Sequence, residues 1–283
     1  MAHPVARLTG VTMPTPVRPL WDHARAAAFF DLDRTLISGS SAFVFGVAAW
    51  RNDLVPTPQF ARDAVGAVAF RVAGASDDTA DQLRARMLGA VKGVRQADLL
   101  ALNAVVVPKL LDRIRPEATA LLDMHRKAGR DTYIVSASPR EVVEALAQAL
   151  GMTGGLGTVG EVADGVYTGE LVGPFCYGTG KVDAIVELAA WEHYDLERCY
   201  AYSDSASDMP MLEGVGHPVA VNPDTALART ARQRGWPIVI FSRRTKQVAK
   251  HTSTAVGALG LAGAAFATGI RVGKKAVVRA RTP

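Results

Sequence analysis

Cysteine is scarce. The 283 residues hold only Cys176 and Cys199, with no CxxC pair and no Cys/His spacing of a zinc site, which excludes a disulfide framework and a structural zinc centre. Such a chain suits the reducing cytoplasm, and Cys199, inside an apolar run, reads as a buried core thiol. The six histidines include no close pair, so His125, His193 and His217 read as helix-surface or turn residues rather than ligands. Trp21, Trp50, Trp191 and Trp236 are scattered and read as packing residues. Aromatics make up 7% and do not interleave with basic residues, so no nucleic-acid partner is expected. The start of the chain has no secretory signal; Pro4, Pro14, Pro16 and Pro19 and the lack of a long apolar run make residues 1–25 a mobile tail.

What is present is a large apolar fraction, 49%, enough for a substantial core. The net charge of +5 is concentrated late in the chain, at Arg243, Arg244, Lys246, Lys250, Arg271, Lys274, Lys275, Arg279 and Arg281. The run Ala26 to Asp33 is apolar and ends in two carboxylates, the pattern of a buried parallel strand. From 41 to 113 the pattern turns helical, with breaks near Pro56, Pro58, Gly74 and Gly93; about four helices are expected, enough for a small separate bundle. Pro116 opens a further helix and Gly129 closes it. Asp131 to Ser136 is a second strand, followed by a helix over 139–150. Val159 to Leu171 forms a hairpin turning at Asp164-Gly165. A helix over 180–193 and strands at Cys199–Ser203, Pro218–Val221 and Pro237–Phe241 complete an alternation that predicts a doubly wound parallel α/β sheet.

Four local signals recur at strand ends or helix starts, which a parallel sheet gathers at one crevice. They are Asp31-Leu32-Asp33-Arg34-Thr35, then Ser136, then Lys181 after Gly178-Thr179-Gly180, then Asp204-Ser205-Ala206-Ser207-Asp208. Hydrolysis of a phosphomonoester needs such a set. The ester carries about two negative charges and repels a carboxylate nucleophile, so the charge must first be neutralised. Magnesium with hard oxygen ligands does this, and Asp31, the carbonyl of Asp33, and Asp204 would supply them. Lys181 adds a point charge on the phosphoryl oxygens; Ser136 adds hydrogen bonds, and could also cap the following helix. Strict strand periodicity puts Asp33 on the same side as Asp31, from where it could protonate the leaving oxygen. Asp208 could hold Lys181 in place.

At these residues the chain resembles the haloacid dehalogenase superfamily of phosphatases, and within it the IB branch of phosphoserine phosphatase-like hydrolases, over roughly residues 26–241. The resemblance implies a Rossmann-like core at 26–40 and 114–245, a helical C1 cap at 41–113, and magnesium as cofactor. It also makes Asp31 the nucleophile, Asp33 the acid and base, and Thr35, Ser136 and Lys181 the phosphate-binding set. On the cap, Arg86 is the best positional match for a substrate-carboxylate contact, with Arg84 beside it. Two positions depart from the phosphoserine pattern. Ser40 stands where those enzymes carry a glutamate, with no acidic residue between Asp33 and Asp53, and Ser136-Ala137-Ser138 replaces Ser-Gly-Gly.

Residues 246–283 are basic and rich in Ala and Gly, and Thr252 to Ile270 carries no charge. That stretch is just long enough to span a bilayer but poor in large apolar residues; a membrane anchor, a helix for a partner and a mobile tail are all open. An anchor would place the protein on the inner face of the membrane and favour a lipid-linked phosphate over a small phosphorylated metabolite. Phosphoserine phosphatase proper, a non-catalytic membrane-associated binder of phosphorylated ligands, and phosphoryl transfer to an acceptor other than water are the competing readings.

Overall fold

A computed structural model describes residues 25–55 and 77–241. The expected N-terminal tail, part of the expected cap (56–76), and the basic segment with its uncharged stretch at 252–270 lie outside the described residues. Among those described, no helix is long and apolar enough to cross a membrane.

The centre is a six-stranded sheet built from β1 (Ala27–Asp31), β2 (Asp131–Pro139), β3 (Gly154–Thr158), β6 (Tyr200–Ser203), β7 (His217–Val221) and β8 (Ile238–Val239), in the order β3-β2-β1-β6-β7-β8. Every neighbouring pair is parallel. The order turns around at β1, with β2 on one side and β6 on the other, which is where open α/β sheets place their ligands. Strand β3 was not anticipated, because its Gly154-Gly155-Leu156-Gly157 sequence lacks strand residues. The glycines are required by close packing: a Cβ at Gly155 would lie 2.7 Å from Val143 Cγ1. The remaining strands, β4 (Gly160–Ala163) and β5 (Val166–Leu171), form the expected hairpin. Its turn residues Asp164 and Gly165 both have positive φ, 52° and 79°, as a primed two-residue turn demands.

Strand periodicity divides the core in two. Ala28 and Phe30 face one buried cluster with Ile134 and Tyr202; Ala27 and Phe29 face the other with Val135, Ile185 and Ala189. Helices α1 (Ser41–Arg51), α2 (Asp77–Val91), α3 (Gln96–Ala101) and α4 (Asn103–Leu111) occupy the stretch after β1. Val44 and Ala48 of α1 and Val106 and Leu110 of α4 share one continuous cluster with Phe30 and Ile134, so α1 and α4 pack directly on the core. Helices α5 (Pro116–Lys127), α6 (Arg140–Ala149), α7 (Thr179–Glu192), α8 (Met209–Glu213) and α9 (Thr225–Arg234) are the remaining α-helices among the described residues.

Two single-residue expectations also change. Trp191 does not pack; it is 81% exposed on α7. His125 is not on a surface: it is fully buried beneath the sheet. Arg130 Nε donates to its Nδ1 at 2.7 Å, which fixes the ring proton on Nε2, 2.8 Å from the Tyr202 hydroxyl. Burial, then the Arg130 charge, hold its pKa down near 3.

Candidate active site

Asp31 is the last residue of β1 and continues the row of Ala27 and Phe29. That row faces α7, so the first turn of α7 is where a partner for Asp31 must come from. Lys181 sits there. It is 3% exposed, with its Nζ 2.6 Å from Asp31 Oδ1 and 2.8 Å from Asp208 Oδ2. The approach of α7 depends on Gly180: a Cβ there would fall 1.9 Å from the Phe175 carbonyl oxygen.

Asp33 departs from the simple expectation. The strand ends at Asp31, Arg34 takes a positive φ of 61°, and the chain turns so that Asp33 Oδ1 accepts from the Ser41 N–H at 2.8 Å, at the start of α1. Its position comes from a turn and a helix N-terminus rather than from strand alternation. Ser41 Oγ in turn lies 2.9 Å from Ser138 Oγ, and the Ser138 N–H donates to Ser136 Oγ at 3.2 Å. Ser136 is buried near the end of β2 but does not cap the next helix; Pro139 holds that position. Thr35 is buried, and its Oγ1 has no hydrogen-bond partner among the described residues. Ser40 caps α1, accepting from the Phe43 N–H. On α2, Arg84 is exposed and Arg86 half-buried.

Asp204 and Asp208 follow β6. Asp208 accepts from the Ser203 hydroxyl as well as from Lys181. Asp204 pairs with Arg34, Nε to Oδ2 at 2.6 Å, a contact the sequence did not reveal. Nor did it reveal Asp224, which accepts from the Ala206 N–H at 2.9 Å and pins the Asp204–Asp208 loop. The available clue was its place before a helix, since Asp224 also caps α9.

The electrostatics are those of a crowded anion cluster. Burial raises the Asp31 pKa to about 8; Lys181 opposes this, while Asp208 and Asp204 add to it. Burial likewise raises Asp204 to about 7, with Arg34 opposing and Asp208 reinforcing. Asp33 is pushed up by burial against its bonds to Ser41 and Ser40. Burial works against the charge of Lys181, yet Asp208 and Asp31 together carry its pKa above the ordinary value. Among the described residues, the ion pairs of these four carboxylates are with two cations, Lys181 and Arg34, an imbalance that a divalent cation with hard oxygen preference would correct. Among the described residues no three acidic, His or Cys side chains form a metal cluster. A donor set of two carboxylates and the Asp33 carbonyl does not require one. Burial pushes the Cys176 thiol up to about 11, which disfavours its thiolate.

The haloacid dehalogenase-like hydrolase family matches residues 28–213, and the chain belongs to that family. A probable phosphatase of Mycobacterium tuberculosis is 42% identical over 244 residues, 85% of this chain and 83% of its own length. Phosphoserine phosphatase SerB1 of the same organism is 39% identical over 274 residues, 91% of this chain and 87% of its own. In fold, the chain is similar to a solved phosphoserine phosphatase holding an analogue of the phospho-aspartyl intermediate. The TM-score is 0.55 and the identity 18%, over 77% of this chain and 94% of that one.

Proposed function

We propose that this protein is a magnesium-dependent phosphomonoester hydrolase that works through an aspartyl-phosphate at Asp31. The observation that carries the reading is the buried triad in which one ammonium, Lys181, joins Asp31 to Asp208. Asp31, Asp204 and the Asp33 carbonyl would hold the ion, which when bound offsets the charge of nucleophile and phosphate together. Asp31 supplies the attacking oxygen; a new O–P bond forms as the bond to the leaving oxygen breaks. Asp33, whose burial favours the protonated form, gives its proton to that oxygen. It then takes a proton from water as water attacks phosphorus, and Asp31 leaves as carboxylate with release of inorganic phosphate. Lys181, Ser136 and the unpartnered Thr35 hydroxyl receive the phosphoryl oxygens. We assign residues 26–40 and 114–245 to the catalytic core and 41–113 to a cap that excludes water, with Arg86 and Arg84 as its substrate contacts. The substrate is a small phosphorylated metabolite, or a lipid-linked phosphate if residues 252–270 meet a membrane.

A second reading, phosphoserine phosphatase proper, is favoured by the SerB1 relative and opposed by Ser40, which caps α1 and offers no charge to a substrate ammonium. Borohydride reduction of enzyme quenched during turnover converts an aspartyl-phosphate to homoserine. Homoserine at position 31 is the expected result, and turnover without it contradicts the mechanism.

A further inference from the structure

Beside Asp204, on the carboxyl edge of the sheet, lies a cavity of about 270 Å³ lined by Arg34, Arg115, Asp204, Asn222, Asp224 and Phe241. Its two acids already have partners. Asp204 Oδ2 is paired with Arg34, and the Asp224 oxygens accept from the Ala206 and Leu227 N–H groups. Its donors are left over. Among the described residues, Arg115 Nε and Asn222 Nδ2 are both buried with no hydrogen-bond partner. The main chain is fixed at Arg115, and the Asn222 side chain cannot readily turn away. Arg115 is the N-cap of α5, its own N–H bound to the Leu36 carbonyl, and Asn222, at a positive φ of 44°, is held by its Oδ1 accepting from the Phe241 N–H at 2.9 Å.

Buried donors are nearly always satisfied in folded proteins, and an unmatched pair on a cavity wall calls for an acceptor in the cavity. A guanidinium fork next to an amide N–H₂ selects a compact oxyanion. The volume is small for a drug-sized ligand and ample for a carboxylate or phosphate group.

We propose that Arg115 and Asn222, with Arg34 at the rim, form a second oxyanion subsite next to the reaction centre, made for a carboxylate or a phosphate. The anion is either a second anionic group of the substrate itself, which rests on the hydrolase reading above, or a free anion. The subsite as such does not depend on that reading.

Calorimetric titration of the full-length protein with inorganic phosphate tests it. Wild type takes up two phosphates per chain. Lys181→Met keeps the one at Arg115, and Arg115→Gln keeps the one at Lys181 with at least a tenfold loss at the other. Asn222→Asp preserves the acceptor for Phe241 and tolerates the positive φ while placing a negative charge against the anion, so it loses the same phosphate even if Arg115→Gln does not fold. A single phosphate in wild type, abolished by Lys181→Met, overturns the subsite and leaves the catalytic reading standing. So does two-phosphate binding unchanged in both Arg115→Gln and Asn222→Asp. The source follows from turnover of phosphoserine and 3-phosphoglycerate against an aryl phosphate. A tenfold or larger fall in kcat/KM for Asn222→Asp on the carboxylated esters alone assigns the subsite to the substrate; equal rates on all three assign it to a free anion.

Discussion

Lys181 and Asp31 stand 150 residues apart in the chain and 2.6 Å apart in the fold, both buried. The pairing makes Lys181 a positioned charge at the proposed point of attack. Replacing it with methionine is expected to lower kcat/KM by ~100-fold or more, in the range found when one preorganised charge is removed from an active site. It should also lower the thermal midpoint, because Asp31 and Asp208 are then buried without their cation. Steady-state kinetics and a melting curve check both.

Asp33→Asn separates acid–base work from metal holding. The amide oxygen can still accept from Ser41 N–H, and the proposed ligand at this position is the backbone carbonyl, so magnesium affinity should be nearly unchanged. Turnover should fall by about 100- to 10,000-fold, the usual contribution of a general acid. Magnesium calorimetry beside turnover decides it; a large loss of magnesium affinity contradicts the assignment.

Gly180→Ala forces a Cβ to within 1.9 Å of the Phe175 oxygen, a backbone atom that cannot yield cheaply. The start of α7 must shift, and Lys181 with it. A loss of about 1–3 kcal/mol in stability is expected, as for overpacked cores, together with loss of turnover. Denaturant unfolding measures the first.

His125 gives a pH signature remote from the reaction. Its folded pKa, about 3, lies below the ordinary value of 6.5 because burial and Arg130 both disfavour the cation. The neutral ring is shared between Arg130 and Tyr202, with Phe30 and Tyr200 against it. Unfolding lets it protonate, so its contribution is complete above pH 6.5 and is lost as the pH falls toward 3. The slope is up to about 1.4 kcal/mol per pH unit. In His125→Gln the stability profile between pH 6.5 and 4.5 should be flatter than in wild type; an equal slope contradicts the account.

The proposed catalytic set was legible as strand ends and helix starts because each member sits in a short, self-contained signal. The apolar Phe29-Phe30 run announces the strand that delivers Asp31, and the Gly178-Thr179-Gly180 loop announces the helix that delivers Lys181. What escaped depends on contacts between distant segments. Nothing local to Arg34 says that it pairs with Asp204, and nothing in the helical pattern around His125 says that Arg130 and Tyr202 bury it. Asp33 reaches the site by a different route from strand alternation, because β1 ends at Asp31, two residues before it, and the chain then turns through the positive φ of Arg34. Strand β3 was lost because its glycines are chosen for close approach to α6, and a strand signal depends on side chains.

The most direct test of the central claim is release of inorganic phosphate from an aryl phosphate by wild type and by Asp31→Asn, each with magnesium and with chelator. The account predicts release by wild type with magnesium, and none when either the ion or the Asp31 carboxylate is removed. Equal activity of Asp31→Asn and wild type would contradict it.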